Sequence, residues 1–342
     1  MNTDVIHNGD SVRISFIVPV YNGEKYVKNC LDMLLNQEGD GFEVIVVNDG
    51  SKDKTGEIVK NYKDDRIIYF EQEDKGVSAA RNKGIEISRG DWLVFCDVDD
   101  EILPGYVKSI QEETQKNPQA DIFCYARYYV QDDYFVREES KENLLLGAID
   151  CCGKGIFYKS EDFYITSPWA KVFGAFFIKK HRLRFDEKLS IAEDTLFLVQ
   201  TIAASESVFL IHKGYYRYVQ NSDSVFHTAG KLAEKDGFIH LYNEMIHCIE
   251  ISNLLNKNRI MYYFNRWIVK HHGIVTIRRL CAGTKGMRLR DWKKFIREIA
   301  KYMKESYRQL RGKDKTIKDS LKLFVLYNFP GLYILLRDRK TD

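Results

Sequence analysis

Four apolar runs in the first hundred residues, separated by helical patterns, constrain the fold of this chain more than any other feature. Ile14–Val20, Phe42–Val47, Arg66–Phe70 and Asp91–Cys96 read as strands. Gly23–Asn36, a stretch from Asp53 to about Tyr62, and Gly76–Ser88 read as the helices between them, with Asp53 as a cap. Consecutive βα units with short links argue for a parallel sheet covered by helices on both faces. Strands buried on both faces lose polar alternation and become near-continuous apolar runs, as these are. Pro19 stands at the end of the first strand, where a missing N–H costs least. In open sheets of this kind ligands bind beyond the carboxyl ends of the strands. The residues just after each strand are therefore the first candidates for a site.

Each strand end carries a polar cluster. After the first come Tyr21, Asn22, Gly23 and Glu24; a nucleotide can lie against this backbone and Tyr21, and a plain turn would look similar. After the second comes Asn48-Asp49-Gly50-Ser51-Lys52-Asp53. Asp49 can accept a hydrogen bond from a base N–H, and Gly50 permits close backbone approach; a turn with a capped helix is the alternative. The third helix opens with Lys75-Gly76-Val77-Ser78-Ala79-Ala80-Arg81, small residues at a terminus that favours anions. Arg81 can pair with a phosphate or with the next cluster. That cluster, Asp97-Val98-Asp99-Asp100, sets three carboxylates within four positions. Carboxylates this close repel unless a cation sits among them. Two readings stand for it: a divalent metal held for a diphosphate, or an acidic turn capping the helix near Pro104.

Taken in order, these motifs resemble the nucleotide-binding half of glycosyltransferase family 2, over about residues 12–115. The resemblance continues in Trp169-Ala170-Lys171-Val172-Phe173 and Glu193-Asp194-Thr195-Leu196-Phe197, which are similar to the acceptor half. It implies an α/β fold of GT-A type, a Rossmann-like, mainly parallel sheet flanked by helices, with a helical C-terminal extension. It implies inverting transfer of one sugar from a nucleotide-sugar, most often a UDP-sugar, to a saccharide or lipid-linked saccharide in cell-surface polysaccharide biosynthesis. By the match, Pro19, Tyr21, Asn22, Glu24, Asp49, Gly50, Lys75, Gly76, Ser78, Arg81, Asp97 and Val98 face the donor. Asp99 ligates Mg²⁺ or Mn²⁺, with His227 as a further metal or phosphate ligand. Asp194, beside Glu193, is the base that takes the acceptor proton, or the pair caps the following helix, or both. Trp169 is an apolar platform for an acceptor sugar or a core residue. No Gln-x-x-Arg-Trp is present, since Tyr263 precedes Asn265-Arg266-Trp267 where the Gln would stand, so single addition is expected rather than polymerisation. A metal-dependent nucleotidyltransferase is a rival, lacking here its Gly-rich, Lys/Arg-containing loop after the first strand. A catalytically inactive sugar-nucleotide-binding module of the same fold is the other.

The formal net charge of +3 hides an asymmetry. Residues 257–342 carry 23 Lys or Arg against 7 Asp or Glu, and the remainder carries 29 against 42. A basic tail on an acidic body points to an anionic partner. Lys293–Arg297 and Ile299–Lys304 suit an amphipathic helix on an anionic membrane surface; nucleic acid is not expected. The expected layout is a disordered stretch over 1–10, a GT-A domain over 11–228 (nucleotide half 11–115, acceptor half 116–228) and a helical extension over 229–342. Seven scattered cysteines without a CxxC pair fit a reducing, cytoplasmic setting, peripheral to the inner membrane face through the tail.

Overall fold

The run Ile14–Val20 becomes β1, every residue of it buried, with a parallel neighbour on either side. The computed structural model describes residues 13–128, 134–149, 163, 166–189, 192–219, 233–277 and 289–330. β1 pairs with β2 (Phe42–Asp49) along its whole length, from Ile14 opposite Phe42 to Val20 opposite Asn48. Its pairing with β4 (Trp92–Phe95) stops at Ile17 opposite Phe95. The Cys96 N–H donates to the Ile17 carbonyl, so Ile17 faces β4. Pro19, two residues on, turns its nitrogen to that same side, past the end of the ladder, and no bond is lost. β3 (Ile67–Gln72) completes a parallel quartet in the order β3-β2-β1-β4.

Helices cover this quartet as the sequence pattern implies. α1 (Val27–Leu35) buries Val27, Cys30, Leu31 and Leu34, the spacing of a single helical face. α2 (Thr55–Lys60) follows β2, and α3 (Val77–Ile87) packs on β1 and β2. Close packing of α3 rests on Gly84, where an added Cβ would stand 2.3 Å from Ile17 Cγ2. A short β5 (Glu101–Ile102) then leads into α4 (Tyr106–Lys116).

Beyond β4 the sheet changes direction. β6 (Ile122–Arg127), β7 (Val136–Glu138), β8 (Lys171–Gly174) and β9 (Val208–Arg217) extend it to nine strands among the described residues. β8 inserts antiparallel between β4 and β6, and β9 runs parallel to β6 with β5 and β7 antiparallel beside it. The stretch 131–160 holds β7 and α5 (Lys141–Ile149) in its described part. α6 (Ala175–Lys180) follows β8 directly.

The division of the chain differs from the expected cut at 228. One compact unit comprises Met1–Ser140, Glu161–Glu187 and Ser205–Gln220 and contains the whole sheet. The other comprises Lys141–Ser160, Lys188–Ala204 and Asn221–Asp342. It holds α5, α7 (Glu193–Ala204), α8 (Ala233–Ile251), α9 (Lys257–Trp267), α10 (Leu289–Gln309) and α11 (Ile317–Asn328). The reason lies in α7, which buries Leu196, Phe197, Leu198, Val199, Thr201, Ile202 and Ala203. A helix apolar all round needs cover on several sides, and α5 and α8 supply it. α10 also departs from expectation: Ile296, Ile299, Ala300 and Met303 are buried, so its apolar face is not offered to a membrane.

Candidate functional site

The order β3-β2-β1-β4, with all four strands parallel, brings the four sequence clusters to one rim of the first unit. The loops after β1 and β2 are laced together. The Asn22 N–H donates to Ser51 Oγ at 2.8 Å, and Asn22 Oδ1 accepts from the Lys52 N–H at 2.8 Å. The Gly23 N–H donates to Thr55 Oγ1, the Glu24 N–H to Asp53 Oδ2, and Glu24 Oε2 accepts from the Lys54 N–H. Asn22 holds φ at +50°, a left-handed conformation that Asn tolerates better than most residues. Asn22 and Glu24 thus shape the rim, while the Tyr21 ring stands exposed on it. Pro19 is buried in β1, and Val98 lies beside Gly23.

Asp49, the last residue of β2, is buried and organises the loop after β3. Its Oδ1 accepts from Gln72 Nε2 at 2.8 Å and from the Lys75 N–H at 3.0 Å; its Oδ2 accepts from the Gly76 N–H at 2.7 Å. Gly50 (φ +75°) is required here, because a Cβ would lie 2.7 Å from the Asp74 nitrogen. Gly76 (φ +90°) then opens α3, whose N-terminus has no side-chain cap. Ser78 Oγ, in the first turn, is buried without a hydrogen-bond partner. A helix start with open N–H groups suits an anion, and an orphaned buried hydroxyl beside it calls for a ligand or water.

The three carboxylates after β4 occupy three different environments. Residues 97–100 form a turn in which the Asp100 N–H donates to the Asp97 carbonyl at 3.1 Å. Asp97, 28% exposed, pairs with the Arg81 guanidinium at 3.0 Å, and Arg81 is only 4% exposed. Arg81 also lies over the Phe185 ring, 5.1 Å from its centroid. Arg81 is thus the cation that the crowded carboxylates require. Asp100 is buried: Tyr216 donates its hydroxyl to Asp100 Oδ2 at 2.6 Å, and the Val219 N–H donates to Oδ1 at 2.9 Å. Burial, reinforced by the charge of Asp97 and opposed by these two bonds, pushes the Asp100 carboxyl up to about 8. Asp100 therefore takes on its negative charge less readily than an exposed carboxylate does. It is not a helix cap, since α4 starts at Tyr106 behind Gly105. Asp99 is half-buried in the middle of the turn.

Tyr216 ties this turn to β9. Its oxygen accepts from the Asp97 N–H at 3.1 Å while donating to Asp100. Trp169 stacks on Tyr216 (5.0 Å, 9°) and Tyr218 (5.4 Å, 2°) and is 6% exposed. Of the two readings of Trp169, acceptor platform or core residue, its burial against the buried Tyr216 and the exposed Tyr218 favours the core residue. Arg217 is engaged in an ion pair with Glu101. Gln72 is not singled out by the sequence. Tyr216 lies in the run Tyr215-Tyr216-Arg217-Tyr218, which the family resemblance reads as an aromatic strand before a loop over the diphosphate; its tie to Asp97 and Asp100 is what that reading lacks.

In the other unit, Glu193 and Asp194 form the first turn of α7, where acidic side chains complement the helix dipole. His227 and the loop Asn221–Phe226 lie outside the described residues.

Residues 15–185 match the model of the family described as glycosyl transferase family 2. The chain belongs to glycosyl transferase family 2. Among relatives of this glycosyltransferase, Bacillus subtilis (strain 168) EpsJ, an uncharacterized glycosyltransferase, is 29% identical over 293 residues, covering 84% of this chain and 83% of EpsJ. GlyA of Streptococcus pneumoniae serotype 4 (strain ATCC BAA-334 / TIGR4) is 33% identical over 221 residues, 60% of this chain and 30% of GlyA. Among solved structures, residues 1–349 of S. aureus TarS in complex with UDP-GlcNAc superpose with a TM-score of 0.70 at 18% identity, over 92% of this chain and 89% of that one. At that identity the likeness speaks for the fold, a central sheet flanked by helices with a helical C-terminal region.

A family 2 enzyme is expected to use a divalent cation, and the side chains test that expectation. Among the described residues, no group of three or more His, Cys, Asp or Glu could hold a metal by itself. Asp100 is committed to Tyr216 and Val219. Asp99 and, beside Arg81, Asp97 are hard oxygen donors in the same turn. Mg²⁺ and Mn²⁺ sites of this kind need only one or two carboxylates when substrate phosphates supply the rest. The turn fits a metal that arrives with a diphosphate, not one caged by protein.

Proposed function

We propose that this enzyme transfers a single sugar from a nucleotide-sugar, a UDP-sugar in the first instance, to a saccharide or lipid-linked saccharide acceptor with inversion at the anomeric carbon. The carrying observation is the turn 97–100, with Asp97 held by buried Arg81 and Asp100 withdrawn beneath Tyr216. Within that turn Asp99 is the carboxylate assigned to Mg²⁺ or Mn²⁺, as the family resemblance implies, with Asp97 turned to the ribose or sugar. The cation supplies charge to the diphosphate as it leaves. Tyr21 offers a ring face to the base, and Asp49 fixes the Lys75–Gly76 backbone that borders the donor. The uncapped start of α3, with Ser78, meets the phosphates.

Asp194 acts as the base. A displacement with inversion needs a carboxylate within hydrogen-bond reach of the acceptor hydroxyl, on the face opposite the leaving group. The proton passes from that hydroxyl to Asp194 as the new bond to carbon forms, and the nucleoside diphosphate departs. Glu193 supports it in the same turn. The relatives named as glycosyltransferases and the TarS complex with UDP-GlcNAc support a sugar nucleotide as donor. We place the reaction in cell-surface polysaccharide biosynthesis, with a lipid-linked acceptor met at the inner face of the cytoplasmic membrane. Among the described residues no helix is long and apolar enough to cross a membrane.

Thermal stabilisation by UDP-, GDP- and dTDP-sugars with Mn²⁺ tests the donor class. A ligand at a hundred times its Kd adds about 2.7 kcal/mol, which at roughly 2–4 °C per kcal/mol is several degrees. Stabilisation by a UDP-sugar that vanishes with chelator is the expected result. Equal stability with every nucleotide-sugar, metal or none, contradicts the reading.

A further inference from the structure

The second unit carries an apolar edge that its own core leaves uncovered. α11 buries Leu323 and Leu326, but Ile317, Leu321 and Phe324 are 89%, 61% and 54% exposed. Their spacing of four and three residues puts them on one helical face. Phe329, 54% exposed, lies beside Phe324 with ring centroids 5.9 Å apart and lengthens the stripe. Exposed patches of large apolar side chains mark interaction sites more often than chance surface.

A row of cations borders this stripe. Arg297, Lys301, Lys304 and Arg308 recur on α10 at intervals of four, three and four, and all are exposed. Two contacts join the row to α11: Lys304 Nζ sits 5.0 Å from the Tyr327 ring centroid, and Arg297 Nε donates to the Tyr327 carbonyl at 3.2 Å. Lys315 and Lys318 add exposed charge at the other end of α11. Against them α10 sets Asp291 and Glu298, both half-buried, and Glu305, exposed. A stripe of Ile, Leu and Phe edged by Lys and Arg is the composition of a helix lying in the plane of a membrane interface.

We propose that α11 docks this edge onto an anionic lipid bilayer, with Ile317, Leu321, Phe324 and Phe329 entering the headgroup–acyl boundary and the α10 row meeting the headgroups. The assignment deepens the membrane part of the proposed function and moves it from α10, whose apolar side is internal, to α11. Charge decides the occupant: a second copy would present its own basic row, whereas an anionic leaflet attracts each Lys or Arg by about 1 kcal/mol.

The test is co-sedimentation of the full chain with vesicles of phosphatidylcholine alone or with added phosphatidylglycerol. Binding is expected only with the anionic lipid and weakens with salt. Leu321→Ser with Phe324→Ser should lower it at least tenfold. Arg297→Gln with Lys301→Gln and Lys304→Gln should lower it roughly a hundredfold, three cations at about 1 kcal/mol each. All five side chains are exposed, so an unchanged melting temperature checks the fold. No donor or acceptor enters the assay, so its outcome is separate from that of the transfer reaction. Equal binding by the variants overturns the proposal. So does a light-scattering mass of a dimer that Leu321→Ser with Phe324→Ser splits, without vesicle binding.

Discussion

Replacing Arg81 by Met removes the cation beneath the turn while keeping most of the side chain's bulk over Phe185. Arg81 is 4% exposed and its partner Asp97 28%, with 3.0 Å between nitrogen and oxygen. Two unit charges about 4 Å apart at an effective dielectric of 20 interact by about 4 kcal/mol. The partial exposure of Asp97 lowers the net coupling to about 1–2 kcal/mol. Arg81→Met alone also leaves the Asp97 carboxylate crowded against its neighbours, so its total cost should be about 3 kcal/mol, at the low end for a broken buried pair. Asp97→Asn should cost less, because the amide still accepts a hydrogen bond. Urea unfolding of the wild type, both single variants and the double variant isolates the coupling. The double variant should be about 1–2 kcal/mol more stable than the sum of the single effects predicts. A coupling within experimental error of zero refutes Arg81 as the charge that permits three carboxylates in four residues.

Three further outcomes follow from particular contacts. Tyr216→Phe keeps the stacking on Trp169 but strands the Asp97 N–H and one oxygen of Asp100, so unfolding free energy should fall by about 1–3 kcal/mol; an unchanged value in denaturant titration would show that the hydroxyl bonds are not formed. Burial raises the Glu43 carboxyl, but bonds from the Ser15 hydroxyl and from the Arg89 N–H and guanidinium outweigh it and hold the pKa below the ordinary 4.5. A depressed folded value gives stability that is present above about 4.5 and lost as pH falls through the folded pKa, so Glu43→Gln should be less stable than wild type at pH 7 and converge with it in acid; parallel stability–pH curves contradict this. Gly84→Ala drives a Cβ to 2.3 Å from Ile17 Cγ2 and should cost about 1–3 kcal/mol by overpacking, read as a lower melting temperature.

The parallel quartet was legible because each of its strands is a continuous apolar run between polar turns, and such runs form locally. What decides the site is less local. Asp49 reads as a group facing a base, yet its partners Gln72, Lys75 and Gly76 lie 23, 26 and 27 residues away. The same holds for Asp100, whose buried state is fixed by Tyr216, 116 residues downstream. The cap reading fails for a physical reason: β5 intervenes between the turn and α4 and draws the turn toward β9. The antiparallel insertion of β8 was invisible, because a strand of four residues carries too little pattern to reveal its direction. The unit boundary was missed for the opposite reason: α7 reads as one more element of an α/β domain, and only its all-round burial assigns it to the helices. The basic tail was rightly seen as two-sided, but sequence could not tell that α10 turns its apolar side inward and α11 outward.

Metal-dependent donor chemistry at Asp99 and base catalysis at Asp194 are tested together by nucleoside diphosphate release and sugar transfer in the wild type, Asp99→Ala and Asp194→Ala, with and without chelator. Release should depend on metal in the wild type and be lost in Asp99→Ala. In Asp194→Ala, transfer should be lost while donor binding survives. Undiminished transfer by both variants would contradict the roles proposed for Asp99 and Asp194.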